Sequence, residues 1–350
     1  MTPDSMSLRI DFFESETEVS CSGSLLIPLD ELLASKEPTT TTTKGWGPTV
    51  DSKWNVTLND SNTCTFCLRA RRLEPSVAFN TPRVVFAVRH AESRWNQAVS
   101  RGNVVTMLTQ VDHGLSSKGV CQALELSSVF RQRPRRAPKA IEDARTVEDF
   151  EQLFLSAPVL SCSPLKRAVQ TALLALQGHP ATSASGIRLL PFVREVRNAY
   201  GRDNIACARG DDIKETAVRD LRRARNTDSE RAVLTSINVD TADTLDEWWS
   251  PGAEDAGQIR QRARDFLTFV KLLDAATCVV VTHSNFLRHL FRAHCSGDHD
   301  LSRFKVANCA VLAVILDFAR QKGSEIADAK FLFGSGLEAR GERHLEHLGA

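Results

Sequence analysis

Two apolar runs that each end in a histidine constrain this chain more than any other feature. Val84-Val85-Phe86-Ala87-Val88 leads into Arg89-His90-Ala91-Glu92, and Cys278-Val279-Val280-Val281 leads into Thr282-His283-Ser284. Short runs this rich in β-branched and aromatic residues read as fully buried strands. The polar residues behind them then fall at the carboxyl ends of the strands, where open α/β sheets place their ligands. Arginine next to histidine sets a rigid fork of donors beside a titratable nitrogen nucleophile, a pairing suited to phosphoryl groups.

A third segment has the same character. Ala157-Pro158-Val159-Leu160 reads as a short strand, followed by Ser161-Cys162-Ser163-Pro164-Leu165-Lys166-Arg167-Ala168-Val169-Gln170-Thr171-Ala172. Ser163 is a candidate N-cap and Pro164 a candidate first helical residue. Leu165, Ala168, Ala172 and Leu176 recur at helical spacing, which places Arg167 in the first turn. Ser284 is the corresponding cap candidate for the helix carrying Phe286, Leu287, Leu290 and Phe291. Two strand-end histidines and two arginines, one from a helix start, are expected to converge on one pocket.

These segments resemble the histidine phosphatase superfamily, the phosphoglycerate-mutase-like phosphatases. The likeness lies in Arg89-His90-x-Glu92 running on to Asn96, in the stretch from Ser161 to Thr171 set against the family's Ser-x-Pro-Leu-x-Arg-Ala-x-Gln-Thr, and in Thr282-His283-Ser284. Leu115-Ser116-Ser117-Lys118-Gly119 and Asn308-Cys309-Ala310 resemble two further segments of the family, so the likeness spans roughly residues 82 to 320. The Trp248-Trp249 segment with Cys207-Ala208-Arg209 is similar to plant, fungal and algal members.

The resemblance implies an α/β three-layer α/β/α domain and a chemistry to go with it. His90 would attack phosphorus and form a phosphohistidine, while Arg89, Arg167 and His283 hold the non-bridging oxygens. Glu195, after an expected strand Ile187 to Phe192, would protonate the leaving group; Glu92, Glu254 and Asp203 are competing acids. Glu92 would orient the helix start behind His90 or a pocket arginine, and Asn96 and Ser93 would add donors at the phosphate. No metal or other cofactor is called for. The expected substrate is a phosphorylated small molecule or phosphoprotein. No long insertion of the glycolytic-mutase kind follows Glu195, which favours hydrolysis over a mutase-type transferase. The rival from another class is a membrane-targeted phospho-ligand binding module with weak activity.

Length and composition set the frame. A chain of 350 residues is a prior for two domains, and 42% hydrophobic with 25% charged residues is an ordinary globular balance. A net charge of +1 gives no reason to expect nucleic acid as a partner. Nine cysteines at irregular spacing argue against a disulfide framework, so the expected setting is cytoplasmic. Residues 1–80 read as a small β-rich domain, with strands at Leu8–Phe13, Gly23–Leu29, Trp54–Leu58 and Cys64–Ala70, and Thr39–Thr43 as part of a loop. Their order resembles the second half of a C2 domain, which implies peripheral membrane contact, although Glu14-Ser15-Glu16-Thr17-Glu18 lacks the spacing of a calcium loop. The catalytic domain is expected over 81–325 and a tail over 326–350. The proline-broken basic stretch Arg131–Lys139 reads as a solvated linker, and His294, Cys295 and His299 as surface residues rather than metal ligands.

Overall fold

The computed structural model describes residues 81–198, 202–224, 234–250, 252–297 and 299–338, together with the backbone of five strands between residues 7 and 70. The chain divides into two compact units, Met1–Glu74 and Pro75–Ala350.

In the first unit β1 (Ser7–Asp11) pairs antiparallel with β2 (Ser24–Pro28). A second antiparallel sheet holds β3 (Thr39–Thr41), β4 (Thr49–Leu58) and β5 (Asn62–Ala70). The threonine tract expected as loop therefore contributes a strand, in keeping with the β-branched side chain of threonine. Cys64 stands opposite Val56 and Cys67 opposite Lys53 in this register. The acidic loop Glu14–Glu18 lies outside the described residues.

The second unit is built on a seven-stranded mixed sheet in the order β12-β11-β6-β10-β7-β8-β9. Here β6 is Arg83–Arg89, β7 Val159–Cys162, β8 Ile187–Leu189, β9 Val239–Asp240, β10 Thr277–Thr282, β11 Val311–Leu316 and β12 Ile326–Leu332. Strands β6 to β10 of this sheet run parallel, and β11 is antiparallel to both β6 and β12. Every residue of β6 and β10 is buried, as the apolar runs that make up their middles require of central strands. Two sequence expectations need correction. The chain does not leave the domain at residue 325, because Ile326–Leu332 closes one edge of the sheet against β11. The strand expected to reach Phe192 ends at Leu189, and Pro191–Val193 turns as a short 3-10 segment; proline has no N–H to give a sheet.

Helices cover the sheet: α1 (Arg94–Ser100), α2 (Val104–Thr109), α3 (Ser117–Gln132), α4 (Val147–Leu155), α5 (Lys166–Ala175), α6 (Asp212–Ala224), α7 (Ala256–Leu272) and α8 (Ser284–His294). Phe154 on α4 gathers the core, its ring 5.4 Å from Phe86 of β6 and 4.6 Å from Phe130 of α3. Gly119, in the first turn of α3, has a positional reason: a Cβ there would stand 2.0 Å from the Glu92 carbonyl oxygen. Only glycine lets α3 approach the loop behind His90 this closely. No helix among the described residues is long and apolar enough to cross a membrane.

Candidate active site

The register of the sheet brings the two histidines together. Thr282, the last residue of β10, pairs with Arg89, the last of β6, so His90 and His283 leave neighbouring strands side by side. Their ring centroids are 5.0 Å apart. Cys162 ends β7 opposite Val281, which brings Ser163 alongside and its Oγ to 2.8 Å from His283 Nε2. Arg167 comes in from the first turn of α5.

His90 is 3% exposed, and its Nδ1 lies 2.7 Å from the Ala91 carbonyl oxygen. A carbonyl only accepts, so Nδ1 carries the proton and Nε2 keeps its lone pair. Burial, with Arg167 and Arg89 adding to it, holds the His90 pKa well below its ordinary value. The ring is therefore neutral near pH 7, as a nitrogen nucleophile must be. Its backbone is fixed on three sides: His90 N donates to Thr282 O at 2.9 Å, Asn308 Nδ2 donates to His90 O at 2.9 Å, and the next amide, Ala91 N, donates to Thr171 Oγ1 at 3.0 Å. Thr171 Oγ1 in turn donates to the Arg167 carbonyl at 2.7 Å, linking the His90 loop to α5.

His283 is fully buried, and its pKa too is pushed well below the usual value by burial and by the surrounding cations, Arg167 foremost. Its Nδ1 is buried without a partner among the described residues. Arg167, 1% exposed, is gripped by the Arg202–Asn204 turn: Nη1 donates to Asp203 O at 2.7 Å and Nη2 to Asn204 Oδ1 at 2.6 Å. Arg89 lies close enough to depress both histidines, but its guanidinium donates to Val306 O and forms an ion pair with Glu338. The Glu338 segment is held in place by Ala307 N to Gly336 O and Glu338 N to Lys305 O bonds of 3.0 and 2.9 Å.

Both helices at the pocket are capped from elsewhere in the chain, against the sequence expectation. α5 begins at Lys166, and its cap comes from Asp112, whose Oδ1 accepts from Lys166 N at 2.9 Å. Ser163 serves His283 instead. Ser284 is the first residue of α8, and its Oγ accepts from Val306 N. The α8 amides are met by Glu195, which accepts from Phe286 N at 3.1 Å and Asn285 N at 3.4 Å. Negative charge at a helix start is favoured by the exposed amides and the helix dipole. Glu195 is buried here, on a loop pinned by Thr282 Oγ1 to Val193 O at 2.7 Å and by Arg262 Nη1 to Arg194 O at 2.7 Å.

Other expected residues have local tasks. Ser93 and Asn96 satisfy each other in a capping box at the start of α1. Glu92 accepts from Ser116 Oγ at 2.7 Å and pairs with Lys118, so it orients the start of α3. Glu254 is bound between Arg194 and Arg262. His294 is not a surface residue: it is buried, and Nδ1 lies 2.8 Å from Glu325 Oε2. In the basic stretch, Arg133 and Lys139 are paired with Glu151 and Asp149. Sequence reasoning missed Ser163 as a histidine partner, Thr171 as the link to the His90 loop, and Asn204. The motif did contain Ser163 and Thr171; nothing in the sequence singled out Asn204.

No family model matches the chain, and no curated protein matches it. Among solved structures, the mycobacterial glucosyl-3-phosphoglycerate phosphatase is similar at 14% identity and TM-score 0.40, over 71% of this chain and 96% of that one. Phosphoglycerate mutase from Bacillus anthracis is similar at 15% identity and TM-score 0.39, over 72% and 93%. The alpha-ribazole phosphatase from Shigella flexneri is similar at 16% identity and TM-score 0.38, over 69% and 97%. Two phosphatases and a mutase are thus the kind of protein this chain is similar to.

Proposed function

We propose that this chain is a phosphatase that hydrolyses a phosphomonoester through a phosphohistidine on His90. The observation that carries the reading is the state of His90: its Nδ1–H is tied to the Ala91 carbonyl, leaving a neutral ring with the Nε2 lone pair free. Around it stand a fully buried arginine, Arg167, and a second buried imidazole whose Nδ1 has no partner among the described residues. A phosphoryl group supplies what this arrangement lacks: acceptor oxygens for the cations and for an Nδ1–H on His283, and an electrophile for His90 Nε2.

In this reading Nε2 attacks phosphorus in line with the leaving oxygen. Arg167 and His283 bind the equatorial oxygens, joined by Arg89 once phosphate competes with Glu338 for its guanidinium. Water then hydrolyses the P–N bond, and the electron pair returns to Nε2. The substrate is a phosphorylated small molecule or a phosphoprotein, and release of inorganic phosphate separates hydrolysis from mutase-type transfer. His90→Ala removes the nucleophile. It should abolish both turnover and the acid-labile phosphoenzyme trapped by rapid quench with a radiolabelled phosphate ester. Turnover near wild type in His90→Ala would refute the covalent route.

A further inference from the structure

The acids around the pocket differ in what already occupies their oxygens. Glu92 is bound to Ser116 and Lys118, and Glu254 to Arg194 and Arg262. Glu195 accepts from the amides of Val196, Asn285 and Phe286, which hold it as an acceptor at the start of α8. Asp203 is arranged differently. It lies in the turn that grips Arg167, is 9% exposed, and uses its backbone carbonyl rather than its carboxylate for the short bond to Nη1. Its Oδ2 stands 3.5 Å from Arg167 Nη2, at the limit of hydrogen bonding. Its own backbone amide is the one further donor to it among the described residues, so a buried carboxyl beside the phosphate-binding arginine keeps oxygen capacity for a proton.

Building on the phosphatase reading, we infer that Asp203, rather than Glu195, is the acid that protonates the leaving oxygen and the base that later activates water. The groups facing Asp203 are Arg167 on α5, Glu195 on the loop after β8, and Asp112 ahead of α3. Burial raises the Asp203 pKa to about 6, with Glu195 and Asp112 pushing the same way and Arg167 and a hydrogen bond from the residue's own backbone amide opposing. An acid with a pKa near working pH is well matched to both halves of a proton shuttle.

In the first half, His90 Nε2 forms the N–P bond as the bond from phosphorus to the ester oxygen breaks, and the proton on the Asp203 carboxyl passes to that oxygen. The products are an alcohol, phosphohistidine and the Asp203 carboxylate. The carboxylate then takes a proton from water as the water oxygen attacks phosphorus. The P–N bond breaks, its electron pair returns to Nε2, and phosphate leaves with Asp203 protonated again.

The test compares Asp203→Asn, Asp203→Glu and Glu195→Gln in the full chain, using p-nitrophenyl phosphate and a simple alkyl phosphate. p-Nitrophenolate leaves without a proton and an alkoxide does not. Asp203→Asn should therefore lose about 10²–10⁴-fold in kcat/KM on the alkyl phosphate and far less on the aryl one. With p-nitrophenyl phosphate it should also give a burst of p-nitrophenol and accumulate phosphohistidine, because hydrolysis lacks its base. Asp203→Glu should restore part of the alkyl activity, and Glu195→Gln should lower both substrates alike. Equal losses on both substrates in Asp203→Asn, or the leaving-group selectivity appearing in Glu195→Gln instead, would overturn the assignment. Absence of any phosphohistidine in the wild-type protein would instead refute the underlying reading.

Discussion

Thr171→Val tests how the pocket is held together. Thr171 is fully buried, and its hydroxyl both accepts from Ala91 N and donates to Arg167 O. Valine keeps the shape and removes both bonds. The Arg167 carbonyl still has its helical acceptor role within α5, but the fully buried Ala91 amide is left without its partner. An unmet buried amide costs about 1–3 kcal/mol. At about 2 kcal/mol and roughly 2–4 °C per kcal/mol for a domain of this size, Tm should fall by about 4–8 °C. The same amide fixes the turn that aims His90, and misplacing a reacting group by about 1 Å can cost about 10²-fold. Turnover should therefore fall more steeply than stability alone would dictate. Thermal unfolding by circular dichroism, with kcat measured well below Tm, separates the two effects. Thr171→Ser keeps the hydroxyl and should lose only about 1 kcal/mol, the value of the missing methyl group. A Thr171→Val protein with unchanged Tm and kcat, or a serine variant as damaged as the valine one, would refute the bridging role.

Prolonged chelation with EDTA should leave phosphate release unchanged, because Arg89 and Arg167 supply the positive charge and His283 a neutral N–H donor in the proposed mechanism; a loss restored by zinc or magnesium would contradict it. Stability should fall as pH drops below about 6.5, where the unfolded chain takes up protons that the depressed, buried His90 and His283 refuse, at up to about 1.4 kcal/mol per pH unit for each. Urea unfolding of His90→Asn against wild type from pH 7.5 to 5.5 isolates the His90 share; identical pH slopes would contradict it. Asp203 acts in the opposite sense. The folded chain keeps its proton up to about pH 6 while the unfolded chain releases it near pH ~4, so stability falls as pH rises between the two. Asp203→Asn should therefore gain stability relative to wild type over that interval in the same urea assay, and a parallel pair of curves would count against the raised value.

Much of this architecture was legible because it is local. The apolar runs Val84–Val88 of β6 and Cys278–Val281 of β10 could only be central strands, and the polar residues behind them could only fall at the carboxyl ends of the sheet. The helix bearing Arg167 followed from the helical spacing of Leu165, Ala168, Ala172 and Leu176, and the order of the motifs pointed to one pocket. Strand ends were less secure, as with Ile187–Leu189, where a proline stops the strand. The C-terminal edge strand was missed because Asp328 and Lys330 interrupt the apolar residues of Ile326–Leu332, as suits an edge strand buried only at its two ends.

What the sequence by itself determined is which residue types stand at the ends of which strands and in the first turn of which helix. Tertiary structure decided what those residues are bonded to. Ser163 and Ser284 are both sound cap candidates by local chemistry, yet Asp112 and Glu195 cap the two helices from far along the chain. The physical reason is that an exposed helix start takes any acceptor that packing delivers, and a carboxylate is a stronger acceptor there than a hydroxyl. The same holds for protonation. Nothing local marks Asp203 as a carboxyl that holds its proton; its burial beside Arg167 is set only when distant segments meet.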